Sequence, residues 1–259
     1  MRKPLLDVVF KSEKRKGVLL LLQDGAKEME YLLKFIDTNR QALLPQIRIL
    51  EEHYLIDHYD DTYELTTIGK LIVDEMTPLL GIIETFDVDI DYWGTHSLNF
   101  IPPHLLERIN ELGKCAVVSP SITEIHEAHK IIETASKKYH YAITTFFYPN
   151  FRDIFSGILS EGADMHVIIS QSLFDKLEID NYNDIKELLS NDLVHFYLYP
   201  NKMNLLSFVY SEQMVMIGLL TINGSFDNKH VVCENLTAIN WAKDVFDYYL
   251  KNSTPITEI

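Results

Sequence analysis

The chain opens on helical spacing. Val18, Leu19 and Leu22 follow Ser12-Glu13 and stop at Asp24-Gly25, where glycine suits a helix C-terminus. A second period runs Met29, Leu32, Leu33, Ile36 and breaks at Asp37-Thr38-Asn39. In a third, "NRQALLPQIRILEEHYLI", Leu43, Ile47 and Leu50 stand at i, i+4 and i+7, one face of a helix. The next stretch, "LIDHYDDTYELT", places β-prone Ile56, Tyr59, Tyr63 and Leu65 around Asp60-Asp61, the signature of a short hairpin. Thr66-Thr67 then caps "IGKLIVDEM" as a further helix.

From Lys114 the rhythm changes. "CAVVS", "YAITTFF", "DMHVIIS" and "LVHFYLY" read as strands, separated by helical stretches at Ile122 to Lys138, Asn150 to Glu161, Gln171 to Leu177 and Tyr182 to Leu189. That alternation favours a largely parallel sheet covered by helices. "LLSFVYSE" and "QMVMIGLLT" read as a terminal antiparallel pair, and Asn235 to Leu250 as a final helix. The expected class is α+β, in three parts: a helix-rich N-terminal domain over 1–80, a connector with a short helix from His104 to Leu112 over 81–113, and an α/β domain over 114–259.

Helix, helix, helix, hairpin, helix is the layout of a winged helix. With "L-x-x-x-I-x-x-L" (Leu43, Ile47, Leu50) leading to "Y-x-L-T-x-x-G" (Tyr63, Leu65, Thr66, Gly69), residues 1–80 resemble the winged helix-turn-helix of ArsR-like and related archaeal regulators. The likeness implies DNA binding, with the third helix in the major groove. Pro45 stands inside that helix, where a missing N–H and a clash with the Gln41 carbonyl cost about 3 kcal/mol. The helix tolerates it if that face meets water or a ligand. With Thr38 or Asn39 as N-cap, Pro45 is expected to aim Asn39, Arg40, Gln41 and Gln46 at base edges. Arg48 lies on the same helix, Tyr59 and Thr62 in the wing, and Lys14, Arg15, Lys16 and Lys27 are the expected phosphate contacts. Asp60-Asp61 at the wing tip and Glu51-Glu52 oppose a strong grip, so affinity is expected to be modest and salt-sensitive. A winged helix that binds a protein instead, with weak or no DNA affinity, is the alternative.

Charge sharpens this picture. The net charge of −15 excludes an electrostatic grip by the whole surface. Residues 1–50 nevertheless hold ten Lys/Arg against six Asp/Glu, +4, leaving −19 on the remaining 209. Apolar runs fall short of the roughly 18 residues of a membrane span and no signal-peptide core is present, so the chain is expected to be cytoplasmic, without a membrane partner. Cys115 and Cys233, far apart and without C-x-x-C partners, are expected as buried thiols.

Whole-chain order and wording, in "ALLPQI", "DYWGTHSLNFIP", "YPNFRDIF" and "INWAKDVFDYY", resemble the archaeal methanogenesis regulatory proteins, in which a winged helix precedes a regulatory α/β domain. The resemblance implies transcription regulation with a signal sensed by the second domain. Catalysis is not expected. Gly-rich phosphate loops and nucleophile elbows are absent, and although the element order resembles phospholipase-D-like domains, their H-x-K-x-x-x-x-D motif is missing. Asp87, Asp89 and Asp91 fail the EF-hand pattern, with Tyr92 and Leu98 at its sixth and twelfth positions, and His126 and His129 read as an exposed helix face. No cofactor or metal is expected. Ligands of open α/β sheets settle beyond the carboxyl ends of strands. There Thr145, Phe147, Tyr148, Phe151, Arg152, Ser170, Gln171, Tyr199 and Asn201 are the expected lining of a pocket for a small effector, with Arg152 suited to an anion; the alternative is that these aromatics simply seal the domain core. A homodimer is expected, because one winged helix covers little of a double-stranded operator.

Overall fold

The computed structural model describes residues 3–120 and 138–258. Two compact units divide at Leu80 and Gly81. The expected helix over Ile122 to Lys138, with His126 and His129, falls almost entirely outside the described residues.

In the first unit, helices α1 (Leu5–Phe10), α2 (Glu13–Leu21), α3 (Met29–Ile36) and α4 (Arg40–Glu52) precede a hairpin of β2 (Ile56–Tyr59) and β3 (Thr62–Leu65), after which α5 (Thr67–Asp87) begins. A two-residue strand, β1 (Lys27–Glu28), pairs antiparallel with β3 and completes a three-stranded sheet. Ser12 caps α2 by accepting from the Arg15 amide, and Asp37 ends α3 in the left-handed region at φ 51°. Val18, Leu19, Leu22, Leu32, Leu43, Ile47 and Leu50 are buried together with Leu55, Tyr63 and Leu65 of the hairpin region. Gly69 has a steric reason: a Cβ there would overlap the Leu55 carbonyl oxygen. Thr66 Oγ1 donates to the Tyr54 carbonyl at 2.6 Å and accepts from the Gly69 amide at 3.0 Å, locking the start of α5 against the strand before it. The last helix is longer than its sequence promises, because α5 continues through Pro78.

The second unit is built on one eight-stranded sheet in the order β11-β7-β6-β5-β8-β9-β10-β4. Its strands are β4 (Ala116–Val118), β5 (Tyr139–Thr144), β6 (Asp164–Ser170), β7 (Val194–Tyr199), β8 (Ser207–Tyr210), β9 (Val215–Gly218), β10 (His230–Cys233) and β11 (Thr254–Ile256). Among the described residues only β5, β6 and β7 run parallel; β8 and β9 form the expected antiparallel pair, and β10, β4 and β11 also join antiparallel. The sheet is therefore mixed, which corrects the expectation of a largely parallel one. Helices α8 (Phe151–Ser160), α9 (Gln171–Asp180) and α10 (Tyr182–Leu189) connect the parallel strands, and α11 (Leu236–Lys251) packs on one face.

Residues 81–113 are no connector. Helices α6 (Ile90–Thr95) and α7 (Pro103–Leu106) and the 3₁₀ turn Ile109–Leu112 bury Tyr92, Trp93, Phe100, Leu105, Ile109 and Leu112 in the same core as α11. Trp241 Nε1 donates to the Leu105 carbonyl at 2.9 Å and Tyr249 Oη to that of Phe100 at 2.6 Å. Asn235 caps α11 through the Ala238 amide at 2.8 Å while its Nδ2 donates to the Leu112 carbonyl at 2.6 Å. The apolar words of this segment are thus core. The cysteines are corrected as well: Cys115 and Cys233, at the facing ends of β4 and β10, form a disulfide across a sequence separation of 118.

Candidate functional site

Helix α4 is the centre of the first unit's candidate surface. Asn39 starts it, its Oδ1 accepting from the Ala42 amide at 2.9 Å. Leu43, Ile47 and Leu50 then face inward, which leaves Arg40, Gln41, Pro45 and Arg48 exposed. The helix runs from Arg40 to Glu52 without a break at Pro45. Proline is tolerated because its ring stands in solvent and the Gln41 carbonyl, denied its amide partner, belongs to an exposed residue.

The hairpin β2–β3 lies beside the start of α4. Asp60 turns it at φ 54°, and Tyr59 projects with 82% of its surface exposed. Arg40 binds Asp61 with both prongs, Nη1 donating to Oδ2 at 3.1 Å and Nη2 to Oδ1. That pair holds the Arg40 guanidinium above its ordinary pKa. His58 contacts Glu51 and stacks on Tyr63 at 5.5 Å. Burial, with Asp61 and Glu51 nearby, pushes the Tyr63 hydroxyl up. The net result is a surface with mixed charge, in which acidic side chains already hold one arginine and one histidine.

Two sequence-based assignments do not survive the geometry. Arg15 is buried: Nε donates to the Val8 carbonyl at 2.6 Å, Nη2 to the Asp7 carbonyl at 3.1 Å and Nη1 to Gln46 Oε1 at 2.6 Å. Arg15 is therefore a structural pin between α1, α2 and α4, and Gln46, half-buried as its acceptor, is withdrawn from base reading. Among the other phosphate candidates, Lys16 pairs with Glu13 at 2.7 Å and Lys27 lies over the Tyr31 ring at 5.2 Å. Lys14 and Thr62 are half-buried, as is Thr38, whose amide donates to the Leu33 carbonyl at 3.1 Å. Arg48 is exposed, and no ion pair to it occurs among the described residues. Sequence reasoning missed the role of Asp61, although an acid at a wing tip facing a helix that begins with arginine was the available signal.

In the second unit the expected pocket residues divide. Thr145, Phe147, Tyr148 and Phe151 come together at the carboxyl end of β5, lining a cavity of about 290 Å³ with Ser172, Lys176 and Asn181. Phe147 and Phe151 stack at 5.2 Å, burial raises the pKa of the Tyr148 hydroxyl, and Lys176 supplies the cationic group. The remaining five lie elsewhere. Arg152 turns to Asp184 at 3.1 Å, Ser170 caps α9 through the Leu173 amide at 3.2 Å, and Gln171 donates to Asp175 at 2.7 Å. Tyr199 packs on Tyr249 in the core with α11, and Asn201 is exposed outside the cavity. The C-terminal edge of a mixed sheet is long, and proximity in sequence to strand ends did not bring these side chains to one point.

Comparison with known proteins adds the family. The N-terminal domain of the methanogenesis regulatory protein FilR1 matches residues 4–84, and the middle domain of that protein matches residues 122–252. A methanogenesis regulatory protein FilR1 from Methanothrix harundinacea (strain 6Ac) is 26% identical over 97% of this chain and 58% of its own length, so the chain spans less than two thirds of that relative. Among solved structures, TrmBL2, an archaeal chromatin protein described with a novel mode of DNA binding, covers 97% of both chains at 14% identity and a TM-score of 0.45. NucT from Helicobacter pylori covers 55% of this chain and 99% of its own at 16% identity and a TM-score of 0.40. With its N-terminal and middle domains both matched, the chain belongs to the methanogenesis regulatory protein FilR1 family.

Proposed function

We propose that this chain regulates transcription by binding double-stranded DNA through a winged helix, α4 with the β2–β3 wing, as a homodimer whose second unit senses a small molecule. The observation that carries the reading is the exposed face of α4. Gln41, Pro45 and Arg48 stand in solvent beside a hairpin with an almost bare tyrosine, while the opposite face is fully committed to the core. Amide and guanidinium groups on such a face can pair with base edges in the major groove, where a helix fits. The regulatory family name supports the general class, and by the relative's name the regulated process is methanogenesis. The cavity of Phe147, Tyr148, Phe151 and Lys176 suits a small molecule with a flat or apolar part and one negative charge.

The test is selection of bound fragments from host genomic DNA by the full chain, with salt varied. Enrichment of a few fragments, lost as salt rises, is expected. Arg48→Ala should weaken binding to those fragments by about tenfold. Absence of DNA binding even at low salt would sink the reading in favour of the protein-interaction alternative.

A further inference from the structure

A cluster unrelated to either site lies at the start of the parallel strands. Asp164 opens β6, and alternation sends Asp164 and His166 to the same face. β7 runs parallel with His195 in register with His166, so the two imidazoles lie side by side, ring centroids 4.5 Å apart. Both turn their Nε2 atoms to one carboxylate: His166 lies 3.1 Å from Asp164 Oδ2 and His195 3.3 Å from Oδ1.

We propose that Asp164, His166 and His195 bind a divalent transition-metal ion. Metal–ligand bonds of about 2.0–2.2 Å hold neighbouring donor atoms roughly 3.0–3.5 Å apart, which is the spacing seen here between carboxylate and imidazoles. One donor atom from each residue lies within 4.8 Å of the other two. The orientation of His166 is also fixed from outside the triad. Its Nδ1 is 3.1 Å from the Tyr197 hydroxyl, and its ring lies parallel to that of Tyr141 at 4.7 Å. An imidazole that binds metal through Nε2 carries its hydrogen on Nδ1, and Tyr197 is placed to accept it. Two imidazoles with one carboxylate select Zn²⁺, Co²⁺, Ni²⁺ or Fe²⁺ over Mg²⁺ and Ca²⁺, which favour all-oxygen shells. The side chains of Asp164 and His195 are each 42% exposed, so an ion can enter from solvent and keep water in its remaining positions.

The full chain, stripped with chelator, is titrated with Co²⁺ by visible absorption and with Zn²⁺ by calorimetry. One equivalent with a Kd of about 1 µM or tighter is expected. His195→Ala and Asp164→Asn should each weaken it by more than about 100-fold, and Tyr197→Phe by about tenfold with stoichiometry kept. Mg²⁺ should not compete, and His104→Ala, at an exposed histidine outside the cluster, should bind as the parent does. Circular dichroism establishes that each variant is folded; His195, nearly half exposed, is the safest to truncate. No site tighter than about 100 µM in the parent, or a site that persists in His195→Ala and Asp164→Asn, would overturn the proposal and leave a hydrogen-bonded cluster only.

Discussion

The Arg40–Asp61 pair shows how one contact sets the strength of a surface. Asp61 takes both prongs of Arg40, so this guanidinium is withheld from phosphate and base edges alike. Asp61→Asn keeps the side-chain shape and removes the charge. If α4 enters DNA, affinity should rise several-fold at low salt and the slope of log K against log salt should steepen by about one, read by fluorescence anisotropy over a salt series. An unchanged slope would mean that Arg40 does not approach the duplex. His230 carries a second residue-scale effect, on stability. Its ring nitrogens are buried without hydrogen-bond partners among the described residues, and burial lowers its pKa below 6.5, Asp227 opposing the shift. The unfolded chain then binds the proton more readily than the folded one. This contribution is fully favourable above about pH 6.5 and is lost as pH falls toward the folded value. Urea midpoints should therefore drop as pH falls below about 6.5, and His230→Gln should flatten that drop. A variant that keeps the parent's full slope would assign the loss to other groups.

At the scale of elements, Pro45 separates local cost from purpose. Helix α4 continues through it, so the sequence forgoes one backbone hydrogen bond in a helix that Asn39 caps and three core residues anchor. Pro45→Ala should stabilise the fold by about 1–3 kcal/mol in denaturant titration, because the exposed site leaves no cavity and the amide returns. The same variant should select a different set of genomic fragments. An unaltered set would deny Pro45 any part in aiming the helix. The elements around it were legible from sequence because 3.6-residue spacing and N-cap residues are local signals, and α2, α3, α4 and the hairpin stand where those signals put them. What escaped was set by tertiary partners. Arg15 looks the same in sequence whether it meets phosphate or two carbonyls and Gln46. Strand direction does not show in the alternation of a strand, so β10, β11 and the antiparallel placing of β4 were missed, while the β8–β9 pair was foreseen. The Cys115–Cys233 bridge and the register of His166 with His195 join residues that no spacing rule connects.

Across the whole molecule, charge and apolar surface divide the work of recognition. A mildly basic head of +4 followed by −19 leaves only one end of the chain suited to a polyanion and keeps the rest from non-specific adsorption. If the head binds DNA as proposed, so few free cations would gain specificity from a second copy, since paired half-sites multiply both contacts and discrimination. Helix α5 has the surface for that. Ile68, Leu71 and Leu79 are 50%, 66% and 46% exposed along one side of it, while Val73 and Met76 on the other side are buried in the unit's own core. Exposed apolar side chains aligned on a long helix mark an association surface better than scattered ones do. Leu71→Glu with Leu79→Glu should convert a dimer into a folded monomer of 30.1 kDa in sedimentation, because the buried face of α5 is untouched. Affinity for a symmetric operator should then fall by about 100-fold or more while that for an isolated half-site stays within about twofold, the difference being the lost effective concentration of the second head. A parent chain that is already monomeric at tens of micromolar, or a double variant that still dimerises, would move the association surface off α5 and require the second half-site contact to arise elsewhere.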